Sequence, residues 1–252
     1  MNEAVRQKVW KIADVHAVLA DQKENSGRGG HGISHVRRVH ANFETWLSSF
    51  SPDEKSLELV DALEAAVILH DIGNSVERKG HAQHSAEILD QLFSTGVLNL
   101  PNKDLVRRIV ANHSSGLEDK ATDFEDACVG LIVVFDHLDT IGSMGMLRVF
   151  KDWIDRVPAI YDDFWAGSGC NSLLEYVGYF FDHPTELGRQ YAPMKDKSLL
   201  GNLLFNYCAT FRITRPVWDY MSLDLIGEIN KRSAENRSFI EGIVRNVNQF
   251  SL

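Results

Sequence analysis

The sequence has few cysteines and no long apolar run, and each shortage excludes a class of protein. Its 252 residues contain three cysteines, and none of them lies in a CxxC pair, so we expect reduced thiols in a cytoplasmic protein rather than a disulfide framework. The longest apolar run, Ala127 to Phe135, is far shorter than the ~20 residues of a membrane-spanning helix. Residues 1–21 carry charges throughout, which is not typical of a secretory signal.

The sequence also lacks an excess of basic residues and lacks the alternating patterns of β-strands. The formal net charge is −9, which argues against binding to a nucleic-acid polymer or a membrane surface. It does not exclude a small anionic substrate, because a bound metal ion can supply local positive charge. No stretch of useful length alternates between apolar and polar residues, so the sequence predicts an all-α protein.

Apolar residues instead recur at helical spacing along most of the chain. The expected helix N-caps are Ser34, Ser51, and either Asp123 or Thr122. Pro52 is expected at the first helical position after Ser51, and Gly73 just after a helix C-terminus. The last helix is expected to be interrupted at 231–233. The predicted helices cover residues 3–21, 34–47, 53–71, 81–93, 101–113, 123–142, 146–154, 171–181, 197–214 and 216–250.

A histidine and an aspartate, His70 and Asp71, follow directly on the buried-type run Ala65 to Leu69. Both side chains are costly to bury without partners, and both bind divalent metals. The chain offers partners of the same two types on other predicted helices. They are His35 upstream, then His81, His84 and His113, and finally Asp136. These residues predict a metal site assembled from distant helices.

The order and spacing of these residues resemble one family, the HD-domain metal-dependent phosphohydrolases. The motifs are Ser34-His35-Val36, Leu69-His70-Asp71-Ile72-Gly73, the segment from His81 to Leu89, Ile109 to Ser114, and Asp136 to Gly142. The last motif is similar to the terminal D-x-L-D-x-x-G segment of small bacterial members. The resemblance implies an all-α HD-domain helical bundle with additional C-terminal helices. We expect one domain over 1–252, with an HD core at about 30–150 and a helical extension at 151–252.

The resemblance also implies the ligands of one or two divalent ions. Fe or Mn is preferred for a set of imidazoles and carboxylates, with Zn, Ni, Co and Mg as alternatives. Asp71 would bridge the ions and act as the catalytic residue, orienting the attacking water or taking its proton. The implied ligands are His35, His70, Asp71 and Asp136 for the first ion, and Asp71, His81 and His113 for the second.

Two assignments stay open at this point. His84 lies three residues after His81 on the same helical face, so either could be the ligand, although the spacing to Ile88 favours His81. Asp139 lies three residues after Asp136, and two interpretations apply to it. It either orients a ligand histidine or acts as a helix-capping or salt-bridged aspartate.

Substrate phosphate requires cationic or hydrogen-bonding groups near the metal. Arg38, Lys79 and His84 are the candidates because they lie close in sequence to the proposed ligands. In one place the chain departs from the family, since Asn74 stands where many HDIG enzymes have a lysine after the glycine. A phosphate contact borrowed from that lysine is therefore not expected here.

The predicted function is hydrolysis of a phosphate ester or anhydride of a nucleotide or another small phosphorylated metabolite by a metal-activated water. A di-iron HD-fold oxygenase and a non-catalytic, metal-stabilised regulatory module are the alternatives. The glycine-rich segment 25–32 is expected to be a linker or lid. For the acidic aromatic loop 161–165 and the C-terminal helices, two interpretations remain open: a cover for the site, or a contact in a homodimer.

Overall fold

The computed structural model describes residues 1–23, 32–153, 169–183 and 198–249. Within these ranges it contains ten α-helices and no β-sheet, which confirms the predicted all-α class. Both loops at 25–32 and 161–165 lie almost wholly outside the described residues. The helices are α1 Glu3–Gln22, α2 Ile33–Ser49, α3 Glu54–Leu69, α4 His81–Ser94, α5 Lys103–Asn112, α6 Phe124–His137, α7 Gly142–Trp153, α8 Leu173–Asp182, α9 Leu199–Thr214 and α10 Leu223–Gln249.

Side-chain caps begin several of these helices. Asn2, Asp53, Asp123 and Ser172 each accept a hydrogen bond from a backbone N–H three residues ahead, which satisfies a donor that the first turn leaves unpaired. Asp123 was one of the predicted caps. The prediction of Ser34 was wrong, because α2 begins one residue earlier and its N-cap, Gly32, has no side chain.

Two further predictions of helix boundaries were wrong. Asp53, not Ser51 or Pro52, caps α3, because its carboxylate accepts from the backbone N–H of Ser56. The interruption expected at 231–233 is absent, and α10 runs through these residues without a break. Ser233 lies inside this helix and is buried. A 3₁₀ turn, Arg215–Tyr220, precedes α10.

The chain divides into two compact units. The first contains residues 1–139 and 213–226, and the second contains 140–212 and 227–252. In the first unit, α3 packs against α1, α2, α5 and α6. The middle of α6, from Ala127 to Ile132, and the end of α3, from Ala62 to Leu69, are buried all round. These two apolar helices form the core on which the candidate site is built. The single domain expected over 1–252 stays a prediction.

An aromatic cluster ties α2 to the turn before α10 within the first unit. Trp46 stacks on Phe50 with ring centroids 4.3 Å apart, and Phe124 stacks on both of them. The indole N–H of Trp46 donates to the backbone carbonyl of Tyr220 at 2.8 Å. Because the indole has only this donor to satisfy, Trp46 is fully buried at little polar cost.

The second unit has its own apolar core. α7, α8, α9 and α10 contribute to it, with Phe180, Leu203 and Ile240 among the fully buried side chains. At the start of α7, the backbone N–H of Gly142 donates to the side-chain oxygen of Asn236 at 2.7 Å. The described residues of the second unit are therefore helical and share an apolar core, whereas the extension over 151–252 stays a prediction.

Among the residues that the structure describes, no single helix is long and apolar enough to cross a membrane. Two consecutive helical segments, Phe124–Thr140 and Gly142–Phe150, are together long and apolar enough, but the chain bends sharply between them. Most of the first member is the buried helix α6.

A buried carboxylate in α3 gives a stability prediction. Glu64 accepts hydrogen bonds from Arg6 Nε at 2.8 Å and from His40 Nε2 at 3.2 Å. Burial alone would raise the pKa of Glu64, but the hydrogen bonds from His40 and Arg6 outweigh burial and lower it. Glu64→Gln is therefore expected to lower the free energy of unfolding by about 1–3 kcal/mol at pH 7.

The pH dependence follows from the lowered pKa. A carboxyl with a lowered folded-state pKa stabilises the protein above its unfolded pKa of about 4.3, and this stabilisation is lost as the pH falls through the folded-state value. The difference in the free energy of unfolding between wild type and Glu64→Gln, measured by urea unfolding, should therefore become smaller below about pH 4. Glu44→Gln is the control, because this exposed carboxylate also lies beside His40, at 3.7 Å. An equal deficit at pH 7 and pH 3 would contradict the assignment.

Candidate metal centre

The site begins where α3 ends. His70 follows the last helical residue of α3, Asp71 comes next, and a 3₁₀ turn, Ile72–Ser75, continues the chain. Ser85 on α4 locks this turn, because its hydroxyl donates to the carbonyl of His70 at 2.6 Å and accepts from the N–H of Gly73 at 2.8 Å. The turn and α4 are therefore held together directly beside the His-Asp doublet.

Gly73 allows this close approach. A Cβ at position 73 would overlap the backbone carbonyl oxygen of His81 and would lie 2.5 Å from the backbone nitrogen of Ser85. The sequence predicted Gly73 as a residue after a helix C-terminus. Its function in the structure is different, since it lets α4 pack against the turn and brings His81 toward Asp71.

Four histidines share one arrangement of their ring nitrogens. In each ring Nδ1 lies at hydrogen-bond distance from an oxygen, so Nδ1 carries a proton and donates, and Nε2 faces the other histidines. A fixed Nδ1–H leaves Nε2 as the metal-binding nitrogen. The Nδ1 partners are Val67 O at 2.8 Å for His70, Val110 O at 2.7 Å for His113, Arg78 O at 3.1 Å for His81 and Asp139 Oδ2 at 2.8 Å for His35.

Asp71 lies between two pairs of these histidines. Its Oδ2 is 3.5 Å from His35 Nε2 and 3.7 Å from His70 Nε2. Its Oδ1 is 3.3 Å from His81 Nε2 and 3.8 Å from His113 Nε2. These contacts form two groups of side chains whose ligand atoms lie close enough together to bind a metal ion, and Asp71 belongs to both groups. We call them the His35 end and the His81 end of the cluster.

Asp136 completes the His35 end, with Oδ1 3.1 Å from His35 Nε2. Burial alone would lower the pKa of His35, but hydrogen bonds to Asp136 and Asp139 raise it to about 10. The pKa of Asp136 shifts in the opposite direction, because the hydrogen bond from His35 outweighs burial and lowers it. This end is therefore rich in negative charge, and a metal ion would take the place of the His35 Nε2 proton.

The His81 end differs in its protonation. Burial, reinforced by an electrostatic effect of the neighbouring His70, lowers the pKa of His113 to about 4. His113 is thus a neutral imidazole at neutral pH, which is the form that binds metal. No anionic partner is needed there, because the carbonyl of Val110 accepts the Nδ1 proton.

Two side chains of the cluster are partly exposed to solvent. His35, His70, Asp71 and His113 are buried. The side chains of His81 and Asp136 remain 23% and 32% exposed. One exposed donor belongs to each end, so water and a substrate can approach the cluster between them.

The structure places His81 and His84 differently. His81 Nε2 is 3.0 Å from His113 Nε2, inside the cluster. His84, one turn further along α4, has its Nδ1 3.2 Å from a carboxylate oxygen of Glu87. The signal in the sequence was the spacing to Ile88, which favoured His81.

The predicted substrate residues lie in different places. Arg38 donates from Nε to Asp139 Oδ1 at 2.6 Å and from Nη2 to Asp139 Oδ2 at 3.0 Å. Lys79 is exposed in the turn before α4. The substrate roles of Arg38, Lys79 and His84 stay predictions. Asp139 was not among the predicted site residues, although its spacing from Asp136 had pointed to it as a histidine-orienting group.

The donor set fits a divalent metal. Imidazole nitrogens with prepared Nε2 lone pairs, together with carboxylate oxygens, suit Fe, Mn or Zn better than an all-oxygen Mg site. The residues placed to hold ions are His35, His70, Asp71 and Asp136 at one end, and Asp71, His81 and His113 at the other.

Comparison with known proteins agrees with this geometry. The family model of the HD domain matches residues 32–141, the segment that carries all six donor residues. Residues 32–141 therefore match an HD domain, and the proteins that carry this domain are generally metal-dependent hydrolases. The family resemblance inferred from the motifs is thus confirmed.

A crystal structure of a Lactobacillus plantarum protein, a structural genomics target, is similar to this one. The TM-score is 0.58, with 16% identity over 98% of this chain and 99% of that chain. At this identity the similarity shows the fold alone. No curated protein matches the sequence.

Proposed function

We propose that the protein is a metal-dependent phosphohydrolase with a two-ion site, acting on a phosphate ester or anhydride of a nucleotide or another small phosphorylated metabolite. The observation that carries the proposal is the position of Asp71, whose two oxygens face two different histidine pairs. A carboxylate placed in this way suits a bridging ligand between two ions, and paired ions suit in-line displacement at phosphorus.

Each residue of the cluster has a task in this proposal. Bound divalent ions would neutralise phosphate charge and lower the pKa of a coordinated water toward about 7. Asp71 orients the attacking water and takes its proton as the catalytic base. His35, His70, His81, His113 and Asp136 hold the ions, and the solvent-exposed edges of His81 and Asp136 define the side from which phosphate enters. Fe or Mn is the expected metal.

The surroundings supply the remaining parts of the proposal. Lys79 and His84, which flank His81 in the sequence, are the proposed contacts for substrate phosphate, whereas Arg38 already donates two hydrogen bonds to Asp139. A net charge of −9 supports a small-molecule substrate rather than a nucleic-acid polymer or a membrane. The three free cysteines support a cytoplasmic location, and a homodimer stays a prediction.

The test combines metal analysis with an activity panel. Protein purified without added ions is analysed for bound metals, and phosphatase, phosphodiesterase and pyrophosphatase substrates are then offered with Mn²⁺ or Fe²⁺ under anaerobic conditions. We expect bound metal and anaerobic phosphate release from at least one substrate class. Asp90→Asn is a matched control outside the cluster, since it removes a carboxylate that pairs with Arg107.

Other outcomes separate the alternatives. Retained iron with oxygen-dependent turnover and no phosphate release would replace the proposal with a di-iron oxygenase. Bound metal without turnover on any substrate would favour a metal-stabilised regulatory module. The solvent-exposed edges of His81 and Asp136 argue against the module, because a structural metal site is closed on all sides by protein.

A further inference from the structure

One histidine of the cluster has a different kind of Nδ1 partner from the other three. His70, His81 and His113 each donate their Nδ1 proton to a neutral backbone carbonyl three residues earlier. His35 donates to a carboxylate, Asp139 Oδ2, at 2.8 Å. A carbonyl in the same chain segment comes with the local backbone geometry, whereas this carboxylate has to be brought in from a position 104 residues away.

The carboxylate of Asp139 is itself fixed in place. It is buried, and Arg38 contacts both of its oxygens, with Nε 2.6 Å from Oδ1 and Nη2 3.0 Å from Oδ2. This two-point contact prevents rotation of the carboxylate. Arg38 lies one helical turn after His35 on α2, so a single helix presents both groups to Asp139.

The same two segments meet a second time at the His35 end. Asp136, three residues before Asp139, lies 3.1 Å from His35 Nε2. The two nitrogens of the His35 ring are thus held between two carboxylates of one chain segment. Asp136 is on the side of the cluster, and Asp139 is on the opposite side of the ring.

We propose that Asp139, held by Arg38, is a positioning residue that fixes the ring and tautomer of His35 and strengthens its Nε2 as a metal donor. This inference rests on the proposed metal-dependent function. A carboxylate that accepts the distal N–H of a ligand histidine raises the basicity of that ligand and holds its orientation. At the His81 end the Nδ1 atoms of both histidines lie beside backbone carbonyls, so Asp139 acts on the His35 end of the cluster.

The experiment uses Zn²⁺ alone as the probe, with the full chain. Zn²⁺ binding is measured by isothermal titration calorimetry for the wild type and for Asp139→Asn. An asparagine has one acceptor oxygen where the carboxylate serves both His35 and Arg38. We expect the affinity at the His35 end to fall about 10- to 100-fold, while the affinity at the His81 end stays within about threefold.

A matched control separates this effect from the loss of an exposed arginine–carboxylate ion pair. Asp90 accepts from Arg107 Nε with both oxygens, at 2.7 and 2.9 Å, and neither residue belongs to the cluster. Asp90→Asn should leave both Zn²⁺ affinities unchanged. If Asp139→Asn and Asp90→Asn bind Zn²⁺ equally well, the positioning role is overturned.

A second readout follows the tautomer directly. In Zn²⁺-loaded protein, NMR should show a slowly exchanging His35 Nδ1–H that is lost in Asp139→Asn, whereas the Nδ1–H signals of His70 and His113 remain. Equal weakening of both ends with all imidazole signals altered would indicate a general structural defect and would overturn the proposal. If Asp139→Asn does not fold, Arg38→Gln replaces it, with a smaller loss expected at the His35 end alone.

The outcomes distinguish this inference from the function on which it rests. A wild-type protein that binds no Zn²⁺, Mn²⁺ or Fe²⁺ would overturn the proposed function together with the positioning role. A wild-type protein that binds Zn²⁺ as tightly as Asp139→Asn does would overturn the positioning role only, and the metal centre would stand.

Discussion

Asp71→Ala is expected to lose divalent ions from both ends of the cluster while keeping the helix content of the wild type. The side chain contributes one oxygen to each histidine pair, 3.5 Å from His35 Nε2 and 3.3 Å from His81 Nε2. Loss of a residue that only orients a ligand costs about 10- to 100-fold in metal affinity, so loss of a shared ligand should cost more than a hundredfold at each end. Metal analysis and circular dichroism measure the two effects.

Asp136→Ala is the informative comparison for Asp71→Ala. Asp136 is close to His35 but is not part of the His81 end, so only the ion at the His35 end should be weakened. Phosphate release should be lost in Asp71→Ala, because the variant lacks both the bridging ligand and the proposed base. Wild-type metal content or activity in Asp71→Ala would show that the cluster is not the active site.

Gly73→Ala is expected to have the largest effect on stability. The added methyl group would overlap the carbonyl oxygen of His81 and would lie 2.5 Å from the Ser85 nitrogen, and backbone atoms cannot move away as a flexible side chain can. We expect a loss of about 3 kcal/mol or more in the free energy of unfolding, measured by urea denaturation. Because α4 must shift, the ion at the His81 end should also bind more weakly.

Gly227→Ala is the matched control for this substitution. Gly227 lies in the helix α10, and apart from the local backbone of that helix no described atom lies within 4 Å of the position of its added Cβ. Alanine there should be neutral or should stabilise the protein by about 0.5–1 kcal/mol, because glycine loses more backbone entropy on folding. Equal stability of Gly73→Ala and wild type would refute the close packing of α4 against the turn.

Much of the helical architecture could be predicted from local sequence patterns. Helical periodicity identified the described helices, because a helix that packs on a core must repeat its apolar residues every three to four positions. Asp123 was also identifiable as a cap, since a short side-chain oxygen before an apolar run satisfies the first turn. Predictions failed where two polar residues competed for one helix start, as with Ser51 and Asp53, or where a serine lay inside a continuous helix.

The choice between neighbouring residues on one helix could not be made with certainty from the sequence. His81 and His84 share a face of α4, and the structure brings His81 to 3.0 Å from His113 while His84 lies beside Glu87. The packing of α4 on the turn at Gly73 makes this selection. Arg38 is a comparable case, because its predicted substrate role depended on its distance from His35, and its actual neighbour is Asp139.

The amino-acid sequence by itself determined most of the helices, the HD-domain motifs and the six candidate donors, because these depend on residue type and on spacing along the chain. Tertiary structure alone decided that Asp71 faces two histidine pairs, that the missing side chain of Gly73 lets α4 pack closely against the turn, and that Asp139 accepts a hydrogen bond from His35. Those relations join segments far apart in the chain, and their geometry arises from how the buried helices α3 and α6 pack with their neighbours. Spacing within a single helix carries no record of that packing.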